Sequence, residues 1–254
     1  ARVLYKVEVN EPFTIRDLSY QCNDSLIAPI ILPDTINSLI SLGDNFDRDL
    51  LQDERARIET KLKNKGYYRF TKDFISFQAD SSARNKDVAL NLLVKKYPER
   101  TNENEVELKN HKKYKIRNVY VFTNFDQKEA FNQGEFYYNN VDTVFIDGIY
   151  FISKGEDKLS KRVISQSNFI EPGSFYSLEN ANKTYKHLNS LRLFKIINIQ
   201  FNEVRNSADD TLNISYLDCN IQLTKYYLQS YTVELQGTNS YGNIGVGGNL
   251  LYQH

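Results

Sequence analysis

Thr14-Ile-Arg-Asp-Leu-Ser-Tyr20 has a counterpart far down the chain, Lys115-Ile-Arg-Asn-Val-Tyr-Val121. Both read as strands, and both carry Ile-Arg at the same place, 101 residues apart (116 − 15). A second matched pair follows them: Gly43-Asp-Asn-Phe-Asp47 and Gly173-Ser-Phe-Tyr-Ser177, 130 residues apart (173 − 43). Each of these sets an aromatic residue directly before a helix N-cap candidate, Asp47 or Ser177. One unit is therefore written twice, and the second copy carries about 29 extra residues. Such a repeat settles the architecture before any single element does.

In the first unit Asp47 is placed to cap a helix over 48–65, where its carboxylate also suits the positive helix end. Leu50, Leu51, Ala56, Ile58 and Leu62 are compatible with one apolar stripe. Gly66 supplies a left-handed C′ residue, and Tyr67, Tyr68 and Phe70 lead into a strand over 73–79. After a polar turn, Val88, Leu90, Leu92 and Val94 recur with the period of two that a half-buried strand requires. Upstream, 34–42 reads as a short helix or turn. The unit is β-α-α-β-β: two helices on one face of a three-stranded mixed sheet, a fold of the α+β class.

The second unit follows the same plan, with Ser177 capping a helix over 178–193 and Ala181, Tyr185, Leu188 and Leu191 at helical spacing. A strand over 195–204 carries Ile197, Ile199 and Phe201. The next strand, 211–223, switches phase from Leu212, Ile214 and Tyr216 to Leu217, Cys219, Ile221 and Leu223, which predicts a bulge near Tyr216. The extra residues, 126–155, read as a loop and then a hairpin turned at Asp147-Gly148. These signals divide the chain into a last strand of a preceding unit (1–10), a first unit (11–98), a polar linker (99–113), a second unit (114–228) and a terminal hairpin (229–254). In that hairpin Tyr231, Val233 and Leu235 alternate, turn residues follow, and Ile244, Val246, Leu250 and Tyr252 complete a second strand. Apolar residues on one face with small or polar ones between match the first strands of a membrane barrel. A lone hairpin is marginal, so the chain reads as a piece of a longer protein.

Composition narrows the function. Lys and Arg total 32 against 32 Asp and Glu, which leaves no basic surface for nucleic acid. No apolar run approaches the roughly 20 residues of a membrane-spanning helix. The three histidines, His111, His187 and His254, are too scattered for a metal site or a catalytic triad and read as solvated surface. Asp44, Asp47, Asp49, Asp53 and Glu54 crowd a helix start, where Arg55 and Arg57 are expected to pair with them on a solvated face. Cys22 and Cys219 lie in different units and read as two separate thiols. Neither an enzyme nor a cofactor is expected.

These residues resemble the POTRA domains of the BamA/TamA family of outer-membrane assembly factors. The resemblance covers nearly the whole chain and rests on the order of its signals. They are Gly43-Asp-Asn-Phe-Asp47, Glu54-Arg-Ala-Arg-Ile58, Lys65-Gly-Tyr-Tyr-Arg-Phe70, Pro172-Gly-Ser-Phe-Tyr176, Leu188-Asn-Ser-Leu-Arg-Leu-Phe194 and Val233-Glu-Leu-Gln-Gly-Thr238. The large insertion is more TamA-like than BamA-like. The resemblance implies tandem POTRA domains facing the periplasm, followed by the start of an outer-membrane β-barrel held in the lipid bilayer. Its clients would be unfolded outer-membrane or surface proteins, and its partners a periplasmic or inner-membrane assembly component. The alternatives it implies are a transporter for one dedicated secreted client and a partner-recruiting scaffold. In the family, clients are thought to pair with exposed strand edges. On this chain those edges fall at Phe74, Ile75, Ser76, Phe77 and Gln78, and at Ile197, Asn198, Ile199, Gln200 and Phe201.

Overall fold

A computed structural model describes residues 11–82, 85–100, 105–139, 141–155, 157–204, 213–226, 230–240 and 243–253. The strand expected within 1–10 lies outside them. Strand β1 (Thr14–Cys22) leads to helix α1 (Ala28–Ile31), which runs on into a 3₁₀ segment, Leu32–Asn37. The helical stretch thus begins upstream of the expected 34–42. Pro29 and Pro33 both occupy opening turns, where a missing N–H costs little. Helix α2 (Arg48–Lys63) starts where expected, with Asp47 accepting the Asp49 N–H at 2.9 Å. Strands β2 (Ile75–Ser82) and β3 (Asp87–Val94) complete a sheet of order β1-β3-β2, with β1 parallel and β2 antiparallel to β3.

The stripe of α2 is Leu51, Glu54, Ile58 and Leu62, and Ala56 is exposed. A glutamate at a core position is tolerable only when its oxygens are satisfied. Glu54 accepts two bonds from Arg57 at 2.8 Å, one from the Leu39 N–H at 3.0 Å and one from the Tyr20 hydroxyl at 3.2 Å. Arg57 also reaches buried Asp34 at 2.6 Å. Arg57 therefore serves a buried network that ties β1, the 3₁₀ segment and the Leu39 loop to α2, rather than a solvated face. Arg55 instead donates to the Lys72 carbonyl and to Gln52.

A hairpin, β4 (Tyr97–Arg100) and β5 (Val106–Lys109), stands where a polar linker was expected. The second unit then opens with β6 (Lys113–Phe122). The 126–155 insertion is a short helix α3 (Gln127–Gln133) capped by Asp126, a 3₁₀ turn, and strands β7 (Asp142–Ile146) and β8 (Ile149–Ser153). The turn sits at Asp147 and Gly148, with φ of 52° and 81°, as the Asp-Gly pair predicts. Helices α4 (Lys161–Gln166) and α5 (Leu178–Ser190) precede β9 (Phe194–Glu203) and β10 (Ile214–Lys225). The sheet order is β7-β8-β6-β10-β9, so this unit has five strands instead of three. Ile149 and Phe151 of β8 join the core beside Val119 and Val121, and β8 runs parallel to β6. That pairing is non-local and leaves no local signal. On α5 the buried positions are Ala181, Thr184 and Leu188, with Tyr185 turned out. The Thr184 hydroxyl accepts the Phe169 N–H at 2.9 Å.

The repeat is exact at the level of backbone hydrogen bonds. Gly43 N–H bonds the Ile15 carbonyl at 2.8 Å, and Gly173 N–H bonds that of Ile116 at 2.7 Å. In return Ile15 N–H bonds Asp44 and Ile116 N–H bonds Ser174, each at 2.8 Å. Both glycines have positive φ, 91° and 81°, a conformation that side chains resist. The ladders β1·β3 and β6·β10 both slip at the arginine of the Ile-Arg pair, between Ile15 and Asp17 and opposite Leu217/Asp218. The bulge expected near Tyr216 of β10 is instead on its partner β6, where Arg117 is the extra residue while β10 runs on unbroken, and the Ile-Arg repeat marks the same bulge twice. The bulged arginines turn to acids, Arg16 to Asp87 at 3.6 Å and Arg117 to Asp218.

The terminal hairpin, β11 (Ser230–Ser240) and β12 (Asn243–Gln253), is a separate two-stranded sheet. Its register pairs Tyr231 with Tyr252 and Val233 with Leu250, all four side chains on one face and exposed. No helix among the described residues is long and apolar enough to cross a membrane, which leaves strands untested.

Candidate functional site

The two segments expected to offer strand edges both lie at edges, since β2 and β9 are terminal in their sheets. Which backbone groups face outward follows from single bonds. The Lys95 N–H bonds the Phe74 carbonyl at 2.8 Å, so in this antiparallel ladder Ser76 and Gln78 turn their backbone toward β3. Ile75, Phe77, Ala79 and Ser81 turn theirs to the open side. On β9 the Val204 N–H bonds the Tyr216 carbonyl at 3.0 Å, which turns Asn198 and Gln200 toward β10 and Ile197, Ile199 and Phe201 outward.

The ten expected residues therefore divide. Phe74 belongs to a 3₁₀ turn, Lys72–Phe74, and packs on the core of the first unit. Ile75 is buried, although its backbone faces the edge. Ser76, Gln78, Asn198 and Gln200 turn their N–H and C=O groups to the sheet; the Asn198 amide donates to Gln222 at 3.0 Å and Gln78 accepts from Asn91 at 3.2 Å, on the faces opposite the main helices. Phe77, Ile197, Ile199 and Phe201 combine outward backbone with side chains packed against the two cores. Phe201 is not free: its carbonyl accepts the Tyr68 hydroxyl at 3.3 Å.

That bond belongs to a joint between the two units which sequence reading missed. The Tyr68 ring meets Tyr114, Tyr176 and Phe201 at centroid distances of 5.6, 4.9 and 5.9 Å. The Gly66 carbonyl accepts the Tyr114 N–H at 2.9 Å, and Asn64 Oδ1 accepts the Glu179 N–H at 2.8 Å in the first turn of α5. Arg69 pairs with Glu203 and donates to the Tyr97 hydroxyl at 2.9 Å. Burial opposes its charge, but the Glu203 carboxylate outweighs that and holds the guanidinium pKa above its ordinary value. Burial likewise pushes the Tyr176 phenol up to about 12. The aromatic pair in Lys65-Gly-Tyr-Tyr68 was the available signal; Tyr67 is buried within its unit, while Tyr68 reaches across.

His111, expected in solvent, is 3% exposed. Its N–H and Nδ1 both meet Asp24 Oδ2, at 2.6 and 2.8 Å, and the Leu26 N–H reaches Oδ1 at 2.8 Å. Burial raises the Asp24 carboxyl, yet the hydrogen bonds from His111 and Leu26 prevail and leave its pKa below the usual carboxylate range. His111 also lies within 4.7 to 5.9 Å of the rings of Phe74, Phe70 and Tyr97. It anchors the β4-β5 hairpin to the first unit. A cavity of about 220 Å³ opens between this anchor and the Arg69–Glu203 pair. No group of three or more His, Cys, Asp or Glu side chains converges among the described residues. The arrangement offers backbone edges and a joint of packed rings, hydrogen bonds and one ion pair between the units.

No family model and no curated protein matches the sequence. Among solved structures, BamA from Haemophilus ducreyi lacking POTRA domains 1-3 aligns at a TM-score of 0.53 and 11% identity, over 94% of this chain and 34% of that one. BamA POTRA3-5 from Haemophilus influenzae aligns at 0.49 and 15% identity, over 84% of this chain and 61% of that one. This chain thus spans about a third and three fifths of the two. The first likeness is one of fold: the α+β architecture of tandem POTRA domains.

Proposed function

We propose that the chain is part of the periplasmic arm of an outer-membrane protein assembly or translocation factor, acting by binding and without catalysis. Extended segments of unfolded outer-membrane or surface proteins add to the open edges of β2 and β9 and pass toward a barrel that begins at β11 and β12. The observation that carries this reading is the pair of terminal strands with outward N–H and C=O groups, one in each repeated unit. Each added hydrogen bond contributes about 1 kcal/mol net. A few of them hold a client weakly and with little sequence preference, as a handover requires.

The hairpin supports the membrane part of the reading. Its strands have 11 residues each, the length a tilted membrane strand of about 9–11 residues needs. Val233, Leu235 and Leu250 share one exposed apolar face, while Thr232, Glu234 and Asn249 share the other. The joint of rings and hydrogen bonds would set the offset between the two edges before a barrel in the lipid bilayer. A periplasmic or inner-membrane partner would dock elsewhere on the arm.

The test is photo-crosslinking from Gln78 and Gln200 in cells making outer-membrane clients, with and without an outward-facing proline at Ala79 or Ile199. Crosslinks to unfolded clients that fall several-fold with the prolines, at unchanged circular dichroism, are expected. Crosslinks that survive both prolines would remove the edges from the mechanism.

A further inference from the structure

We propose that β7, the outer strand of the insertion, is a third strand-addition site, and that it takes an extended peptide segment with an aromatic residue at its centre and basic residues at its ends. This inference stands apart from the β2 and β9 reading, because β7 lies at the opposite edge of the five-stranded sheet from β9.

The backbone geometry is set by one bond. The Thr123 N–H donates to the Ile152 carbonyl at 3.1 Å, so β8 turns its even-numbered residues toward β6 and its odd-numbered ones toward β7. Asp142, Val144 and Ile146 of β7 therefore bond β8, and Thr143 and Phe145 direct two N–H and two C=O groups outward. Exposed edges are normally blunted by charged side chains, a proline, a bulge or a covering segment. Asp142-Thr-Val-Phe-Ile146 has no proline and no bulge, its one charge is Asp142 at the start, and Val144 and Phe145 are 41% and 60% exposed. The β9 edge, by contrast, has its Phe201 carbonyl taken by Tyr68.

Side chains specify the occupant. Phe145 lies 4.7 Å from the Tyr150 ring, and Tyr150 lies 5.3 Å from Tyr120, so three rings step inward across the sheet face opposite α4 and α5, toward the cluster that Phe122, Phe125 and Tyr137 form beside α3. A residue directly opposite Phe145 on an added strand falls on that same face and extends the row, and aromatic cross-strand pairs are favourable. Two exposed carboxylates, Asp142 and Asp147, bracket the strand. A second copy adding antiparallel about Val144 would bring Asp142 of one chain beside the Ile146–Asp147 end of the other, setting like charges together at both ends. Lysine or arginine at the ends of a different segment meets them favourably.

The test is fluorescence anisotropy of the whole chain with a seven-residue peptide of alternating Thr and Val, a central Tyr and Lys at each end. Its Glu-ended counterpart and a version N-methylated on the edge-facing amides serve as comparisons. Saturable binding of the Lys-ended peptide is expected, at least tenfold weaker for the other two. Phe145→Pro, which removes an outward N–H and no ladder bond, weakens it at least tenfold, and Asp142→Lys, which leaves Asp147 as the one acid, abolishes the Lys-over-Glu preference. Absence of saturable binding, or equal binding of both charge types, overturns the proposal. So does binding lost on Ala79→Pro or Ile199→Pro but kept in Phe145→Pro, which returns the peptide to the other two edges. A concentration-dependent dimer abolished by Phe145→Pro overturns it in favour of a second copy.

Discussion

Replacing Tyr68 by alanine should uncouple the two units. Tyr68 is only half-buried, so its loss falls at or below the low end of the roughly 3–5 kcal/mol seen when buried large aromatics become alanine. Three ring contacts each add about 0.5–1.5 kcal/mol to the burial term. The hydroxyl bond to Phe201 contributes about 1 kcal/mol. These contributions overlap, and roughly 2–3 kcal/mol is the expected loss at the joint. Tyr68→Phe removes the hydroxyl alone and should lose only about 1 kcal/mol. In calorimetry, Tyr68→Ala should lower the transition of the second unit by on the order of 5–10 °C and separate it from that of the first. Small-angle scattering should show the maximum dimension spreading at the same time. If Tyr68→Ala leaves one unshifted transition, or if Tyr68→Phe costs as much as Tyr68→Ala, the account of the joint as an aromatic contact is wrong.

Backbone conformation yields opposite expectations for two helix ends. Gly66 has φ of 101°, and an added Cβ would stand 3.3 Å from Phe175 Cδ1, so Gly66→Ala should lose about 1–2 kcal/mol by urea unfolding. Arg192 follows α5 at φ 55°, and Arg192→Gly should raise the same midpoint, by up to about 1 kcal/mol. Burial raises the Asp34 carboxyl, but hydrogen bonds from Lys61 and Arg57 win and lower its pKa to about 2. A carboxyl lowered on folding stabilises above its unfolded value of about 3.9, and that stability is lost as pH falls toward 2. Asp34→Asn should therefore flatten urea midpoints between pH 4 and pH 2 and lower them at pH 7; an unchanged acid slope would disprove the network. Ser76→Pro removes an N–H that bonds β3 and should cost about 1–3 kcal/mol, whereas Ala79→Pro should fold with near-normal circular dichroism. Equal losses for the two would refute the edge assignment, and a larger loss for Ala79→Pro would reverse it.

Local chemistry made much of this fold legible in the sequence. Capping by Asp47 and Ser177, the turn at Asp147-Gly148 and the alternation of Val88 to Val94 each depend on residues close in sequence, and each is found where it was read. The repeat was legible for a related reason: two copies of one backbone arrangement need the same residues at the bulge and at the glycine turn. What the sequence could not disclose is pairing between distant segments. It cannot tell that β8 lies along β6, that Glu54 is satisfied in the core, or that Asp24 waits 87 residues away to bury His111. A charged side chain reads as solvated until its partners are in place, because desolvation is unfavourable without them. The edge strands show the same division. Sequence alone located β2 and β9, but hydrogen-bond parity, a property of register, decided that Phe77 and Ile199 face outward and Ser76 and Asn198 do not. Tertiary packing alone placed Tyr68 over Phe201, closing part of an edge that a strand pattern leaves open.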